Sequence, residues 1–177
     1  MRKSILLIIA LVMAGCQSAT EPPPQPDLVE PYPYSVWPSI TEMPVQIGSN
    51  SMWFDCLGPT QRQLEAEAKT HGPHASFSII VRVNPEAITL FREGSKLPTG
   101  AVVVKEKYDG FPPFAPLHGY ALMTKREAGY YSEGGDWEYE YVSLIPERKE
   151  TRGRLANCAG CHASAKERDF LFRSYGQ

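Results

Sequence analysis

The chain has 177 residues, 18 Lys and Arg against 20 Asp and Glu, and a formal net charge of −2. No basic run breaks that balance, which excludes a nucleic-acid partner held by charge. Its 16 prolines and 4 cysteines are spread unevenly, so structure and chemistry fall in different segments.

The start, MRKSILLIIALVMAGC, joins two positive charges to an apolar run too short for a comfortable transmembrane helix. Residues 1–15 read as a lipoprotein signal peptide whose end, Met13-Ala14-Gly15-Cys16, makes Cys16 the lipidated first residue of the mature chain. The alternative is an ordinary secretory signal with an incidental Cys16. Two or more acyl chains on that cysteine give a stable anchor where one alone does not. Gln17 is not the aspartate that commonly retains lipoproteins in the inner membrane, so the expected location is the outer membrane of a bacterial envelope, facing the periplasm. Residues 16–40, rich in proline and poor in aliphatics, read as an extended tether, and 41–177 as a single domain of about 130 residues.

Along the domain, Thr60 is a candidate N-cap for a helix over about 60–70 that ends before Gly72. SFSIIVRVN alternates as a strand. NPEAITLFREG reads as a short helix, with Asn84 as N-cap, Pro85 at the first helical position and Gly94 beyond the end. A turn at Leu97–Gly100 precedes the strand AVVVKEKY, and Asp109-Gly110 marks the next turn. FPPFAPLHG reads as a loop, YALMTKREAGYY begins as a strand, and DWEYEYVSLI is the clearest strand, with Trp137, Tyr139 and Tyr141 on one face and Glu138 and Glu140 on the other. LANCAGCHASAKERDFLF lacks proline and a strand period and is expected to be helical. The sum is an α+β fold: a predominantly antiparallel sheet with a few short helices.

The densest reactive cluster is Cys158-Ala-Gly-Cys161-His162. Cys-x-x-Cys-His is the attachment pattern of c-type haem. Two thiols one helical turn apart can each form a thioether to a porphyrin vinyl group, and the adjacent His162 can offer its imidazole to the iron. A structural zinc site would need further ligands, for which Cys56, His71 or His74 would have to be recruited. A thiol-redox motif would open a helix after a thioredoxin-like strand. Export to an oxidising compartment favours haem. Cys56 is then an unpaired, buried small hydrophobe. Fifteen residues follow His162 and none is Met, so the iron is expected to have one protein ligand and an open side that binds or transforms a small molecule.

The succession NPEAITLFREGSKLPTGAVVVKEKY, YALMTKREAGYYSEGGDWEYEYV and CAGCHASAKERDFLF resembles the cytochrome P-460 family over about residues 60–175. The resemblance implies a predominantly β fold, a homodimer, and one covalent haem c per chain with His162 as proximal ligand and Cys158 and Cys161 as thioethers. It also implies that Lys105 is joined covalently to the porphyrin. Strand alternation adds a test: if Lys105 faces the haem, Ala101 and Val103 share its face while Val102, Val104 and Glu106 point away.

The activity the resemblance implies is oxidation of a small nitrogen compound, hydroxylamine or nitric oxide, with electrons passed to a periplasmic cytochrome. Hydroxylamine-oxidising members place a carboxylate four residues before the position of Lys125, and here that position is Ala121. This departure favours the alternative of non-catalytic nitric oxide binding, as in the related cytochrome c′-β, with Phe77, Phe91, Phe114 and Met123 as candidates for an apolar pocket wall. A tethered electron carrier is the third reading. His71, His74 and His118 read as satisfied loop or surface histidines, and Arg82 as either a propionate contact or a solvent-facing side chain.

Overall fold

Six strands pair in strict chain order, every neighbour antiparallel: β1 (Val45–Gln46), β2 (Ser78–Val83), β3 (Val102–Tyr108), β4 (Leu117–Lys125), β5 (Trp137–Ser143) and β6 (Lys149–Gly153). Three short α-helices accompany them, α1 (Gln61–His71), α2 (Ile88–Arg92) and α3 (Ala156–His162). This computed structural model describes residues 33–48, 60–75, 77–110, 112–144 and 146–175, all within one compact unit, Tyr32–Gln177. Residues 1–15, expected to be a signal peptide, and Cys16 and Cys56 lie outside the described residues. No helix among the described residues is long and apolar enough to cross a membrane.

The α+β architecture expected from the sequence is the one found, and the alternation that suggests it decides which face each residue serves. In β2 to β5, Ile79, Val81, Val83, Val103, Met123, Trp137 and Tyr139 point to one face, where they form the main core with Phe91, Leu97, Ala101, Ala159, Phe170 and Leu171. Val104, Tyr120, Leu122 and Val142 point to the other and pack with Tyr34. Lys105 pairs with Val81 and Ala121, and Ala121 with Tyr141, so these four side chains share the first face. Glu138 and Glu140 turn to the second, where Arg152 of β6 reaches Glu138 at 2.8 Å and Glu140 at 3.8 Å.

Local chemistry sets the ends of the elements. Thr60 closes a capping box on α1: its Oγ1 accepts from Gln63 N–H at 3.4 Å while its own N–H donates to Gln63 Oε1 at 2.8 Å. Asn84, expected as a helix cap, does something else. Its Oδ1 accepts from Val102 N–H at 2.8 Å and its Nδ2 donates to Glu86 at 2.9 Å, clamping the entry of β3, while α2 begins only at Ile88. The loop expected through Gly119 also gives way earlier, because β4 starts at Leu117.

The tether expectation needs a correction where it meets the domain. Residues from Pro33 onward form a single 3-10 turn, Tyr34 enters the second core, and Ile40 N–H donates to Val81 O at 2.7 Å. Tyr34, Trp37 and Tyr120 stack edge to face with centroids 4.9 and 6.0 Å apart, so aromatic rings supply the burial that the proline-rich composition hides. Arg82 is fixed on this face too, by Glu106 at 2.7 Å and Trp37 O at 3.0 Å; it neither faces water freely nor approaches the first face.

Candidate functional site

The Cys-x-x-Cys-His segment forms α3, with Ala159 and His162 buried, Cys158 half-buried and Cys161 exposed. Both thiols are free, and they stand three residues apart on one side of the helix. His162, the last residue of α3, is 6 % exposed. Its Nδ1 lies 2.7 Å from Phe170 O. A carbonyl only accepts, so Nδ1 carries the proton and Nε2 keeps its lone pair for a metal. The ring is held between Tyr139 and Phe172, with centroids 5.5 and 5.0 Å away.

The carbonyl that orients His162 is itself positioned by an uncommon backbone. Asp169 and Phe170 both have left-handed φ, 59° and 60°. Phe170 N–H donates to Ala165 O at 2.9 Å, and Trp137 Nε1 donates to Asp169 O at 2.9 Å. The Asp169 carboxylate ties the same turn to two other segments, accepting from Lys125 Nζ at 2.6 Å and from Leu97 N–H at 2.9 Å. Gly135 lies against the Phe170 ring, where a Cβ would collide with it. Such strain persists only where the surroundings over-determine it.

Burial, reinforced by the Lys105 charge, pushes the His162 pKa down from 6.5 to about 4 against the opposing pull of the Phe170 bond. The imidazole therefore stays neutral across the physiological range. A histidine protonated in the unfolded chain but not in the folded one makes stability fall as pH drops below 6.5 and continue falling to about 4. Between neutral pH and about pH 5, where carboxylates remain ionised, His162 alone is expected to remove about 2 kcal/mol, measured as a lower midpoint of denaturant unfolding. An unchanged midpoint would mean that the ring is solvated.

Lys105 enters from the sheet opposite. It is 8 % exposed, its Nζ 5.6 Å from the Phe172 ring centroid and 5.7 Å from that of Tyr175. Burial lowers its pKa to about 8, against an opposing pull from Cys161 and Cys158. About a tenth of the amine is thus unprotonated at pH 7, far more than for an ordinary lysine, and the neutral form is the one a lysine nucleophile requires. Lys107, two residues on, lies over Phe77 and Tyr141 at 4.1 and 4.6 Å, and burial lowers it to about 8 as well.

Between sheet and helix is a cavity of 370 Å³ whose wall includes Val103, Lys105, Ala121, Met123, Tyr139, Tyr141, Leu155, Cys158 and His162. A second, of 290 Å³, shares His74, Lys105, Asn157, Cys158 and His162 with it and reaches Cys161, Phe172 and Tyr175. The volumes and mostly apolar walls suit a flat organic group. Two buried polar atoms beside them, Tyr139 Oη and His74 Nδ1, have no hydrogen-bond partner among the described residues. Unsatisfied groups of that kind mark a place for a partner carrying polar atoms. Apolar walls, orphaned polar atoms, buried amines, a free imidazole nitrogen and two free thiols fit a haem with its carboxylates.

Lys105, Cys158, Cys161 and His162 therefore converge, with Ala101 and Val103 on the Lys105 face and Val104 in the opposite core, as alternation requires. Ala121 also faces the cavity, and its small side chain leaves the room between Lys105 and Tyr141. Of the four apolar candidates only Met123 lines the larger cavity. Phe91 is in the core, Phe114 is 95 % exposed, and Phe77 packs on His118 with centroids 4.7 Å apart. His71 pairs with Glu67 at 3.3 Å and His118 with Asp109 at 3.0 Å, as satisfied histidines do. His74 departs from that expectation: it borders both cavities with a buried, unpartnered Nδ1. Its sequence context, Gly-Pro-His after a polar helix, gives no periodic signal of burial. Among the described residues no group of three or more His, Cys, Asp or Glu side chains is placed to hold a bare metal ion.

Compared with known families, the chain matches the family model described as Cytochrome P460 over residues 61–173, the span that carries Lys105, Cys158, Cys161 and His162. No curated protein matches it.

Proposed function

The chain belongs to the cytochrome P460 family and is a c-type haem protein of that kind, and from that premise we propose that it oxidises a small nitrogen compound, hydroxylamine or nitric oxide, at a lysine-modified haem. When bound, the haem supplies the iron to which the substrate nitrogen gives up electrons. The residues supply everything else in this reading. His162 holds the iron through Nε2, with its ring direction set by the Phe170 carbonyl. The Cys158 and Cys161 sulfurs fix one porphyrin edge as thioethers, one haem per chain, and Lys105 Nζ is joined to the macrocycle from the sheet side. Met123 and Val103 keep water from the larger cavity. A periplasmic cytochrome takes the electrons, a lipid on Cys16 tethers the chain to the outer membrane, and two chains associate as a homodimer.

The observation that carries the proposal is the burial of the Lys105 amine, without an ion pair among the described residues, in the cavities that Cys158 and His162 also line. The test is the absorption spectrum of the reduced, matured chain. A strongly red-shifted Soret band is expected, and Lys105→Ala is expected to abolish the shift while thioether-bound haem remains. An ordinary ferrous c-haem Soret in the unsubstituted chain would sink the lysine linkage. Ala121 in the cavity wall supports a second reading, nitric oxide binding without turnover in a site that lacks a carboxylate at that point. Nitric oxide titration set beside hydroxylamine turnover separates the two.

A further inference from the structure

We propose that His74 recognises a small ligand on the open side of the iron, hydrogen-bonding it across a cavity where Ala121 offers no polar group. The inference rests on the haem reading above and goes beyond it by assigning a residue that the Cys-x-x-Cys-His motif and Lys105 do not provide. His74 ends the 3-10 turn Gly72–His74 between α1 and β2, so it reaches the cavities from a segment separate from the motif helix. The turn is fixed at both ends: Ala75 N–H donates to Gly72 O at 3.2 Å and Phe77 N–H to His74 O at 3.4 Å. The ring therefore stands on a short, anchored connection. Its Nδ1 is buried without a partner, and an imidazole nitrogen left so is costly unless something absent from the polypeptide satisfies it.

An imidazole beside this haem cavity has three possible roles: iron ligand, carboxylate partner, or partner of an iron-bound molecule. The second is better served by a cation than by a neutral imidazole. The first would close the position where a small molecule has to bind. The third uses a group already placed for it. His74 borders the same space as Val103, Ala121, Leu122 and Met123, which offer a ligand no hydrogen bond, and it joins Tyr139, Tyr141 and Thr151 as a polar group of that lining. Burial first, and then the charges of Lys105 and Lys107, favour the neutral ring, which keeps one N–H donor and one acceptor nitrogen. Nitrogen compounds such as hydroxylamine and nitric oxide can use either.

The experiment is the C–O stretching frequency of the ferrous carbonyl adduct, recorded on the full matured chain, its His74→Phe variant and its His74→Gln variant. A hydrogen bond to the bound oxygen lowers that frequency. His74→Phe is expected to raise it and His74→Gln to return it toward the unsubstituted value, while haem content stays the same in all three. Nitric oxide release should quicken about fivefold in His74→Phe, the effect of one hydrogen bond. An unchanged frequency in a fully haem-loaded His74→Phe overturns the proposal. So does a resting spectrum of six-coordinate, low-spin iron that only the His74 variants lose, which would make His74 an iron ligand. A chain that takes up no porphyrin under maturation overturns the haem reading and this one together, so the two failures are distinguishable.

Discussion

His162→Ala is expected to leave a chain that keeps its porphyrin through the two thioethers but loses the protein's grip on the iron. The missing imidazole has been doing two jobs. Its Nε2 is the one free nitrogen of a ring whose Nδ1 is committed to Phe170 O, and its body fills the gap between Tyr139 and Phe172. Truncation leaves the Phe170 carbonyl without its donor, a loss of about 1–3 kcal/mol, and opens a ring-sized void besides. That void is shaped for an imidazole and retains the carbonyl that orients one. Free imidazole should accordingly restore the unsubstituted visible spectrum and raise the melting temperature of the variant, with a saturable dependence on its concentration. A His162→Ala chain whose spectrum matches the unsubstituted protein without added imidazole would show that the iron takes its ligand elsewhere, and the assignment of the motif would fail.

How far this site was legible in the sequence depended on whether each residue's role came from local spacing or from the meeting of distant segments. The thiols and His162 are contiguous, so helical geometry alone relates them. Lys105 came from the family resemblance; period-two alternation added only the condition that Ala101 and Val103 share its face, which holds because a pleated strand cannot turn one of these without the others. β5 was legible for the same reason, its aromatic and acidic faces separating cleanly. β6 was not, because Lys149–Gly153 is an edge strand of exposed, mostly charged residues that needs no apolar period to pair. Asn84 was misread because an Asn-Pro start serves a helix cap or a turn equally well, and only the arrival of Val102 from β3 decides the matter. His74 and Tyr34 escaped because their burial comes from surfaces supplied by other segments, which no local pattern encodes. The carboxylate of Asp169 escaped likewise, although it fixes the turn whose next residue, Phe170, orients the ring that the motif announces.

Asp169→Ala should be the most destabilising single change away from the cavity, by about 3–5 kcal/mol. The carboxylate is 6 % exposed and serves partners from two distant parts of the chain, Lys125 at the end of β4 and the Leu97 amide ahead of β3. Without it, Lys125 Nζ is left with the Trp137 ring at 4.7 Å as its remaining neighbour of note, and a half-desolvated ammonium facing only an aromatic face is poorly compensated. For a domain of this size each kcal/mol lowers the melting temperature by about 2–4 °C, so a fall of roughly 10 °C is expected. Asp169→Asn should lose less, since asparagine tolerates the left-handed φ of 59° and still accepts from Leu97. Lys125→Met combined with Asp169→Ala should recover much of the loss, because the penalty is largely that of the stranded charge rather than of the missing attraction. The consequence for the site follows from chain continuity. Asp169 immediately precedes the carbonyl that holds His162 Nδ1, so loosening its turn lets the imidazole rotate, and the haem spectrum should broaden or shift even well below the melting temperature. If instead the double variant melts no higher than Asp169→Ala and the haem spectrum is untouched, the lysine pair is peripheral and the turn at 169–170 is held by its backbone hydrogen bonds alone.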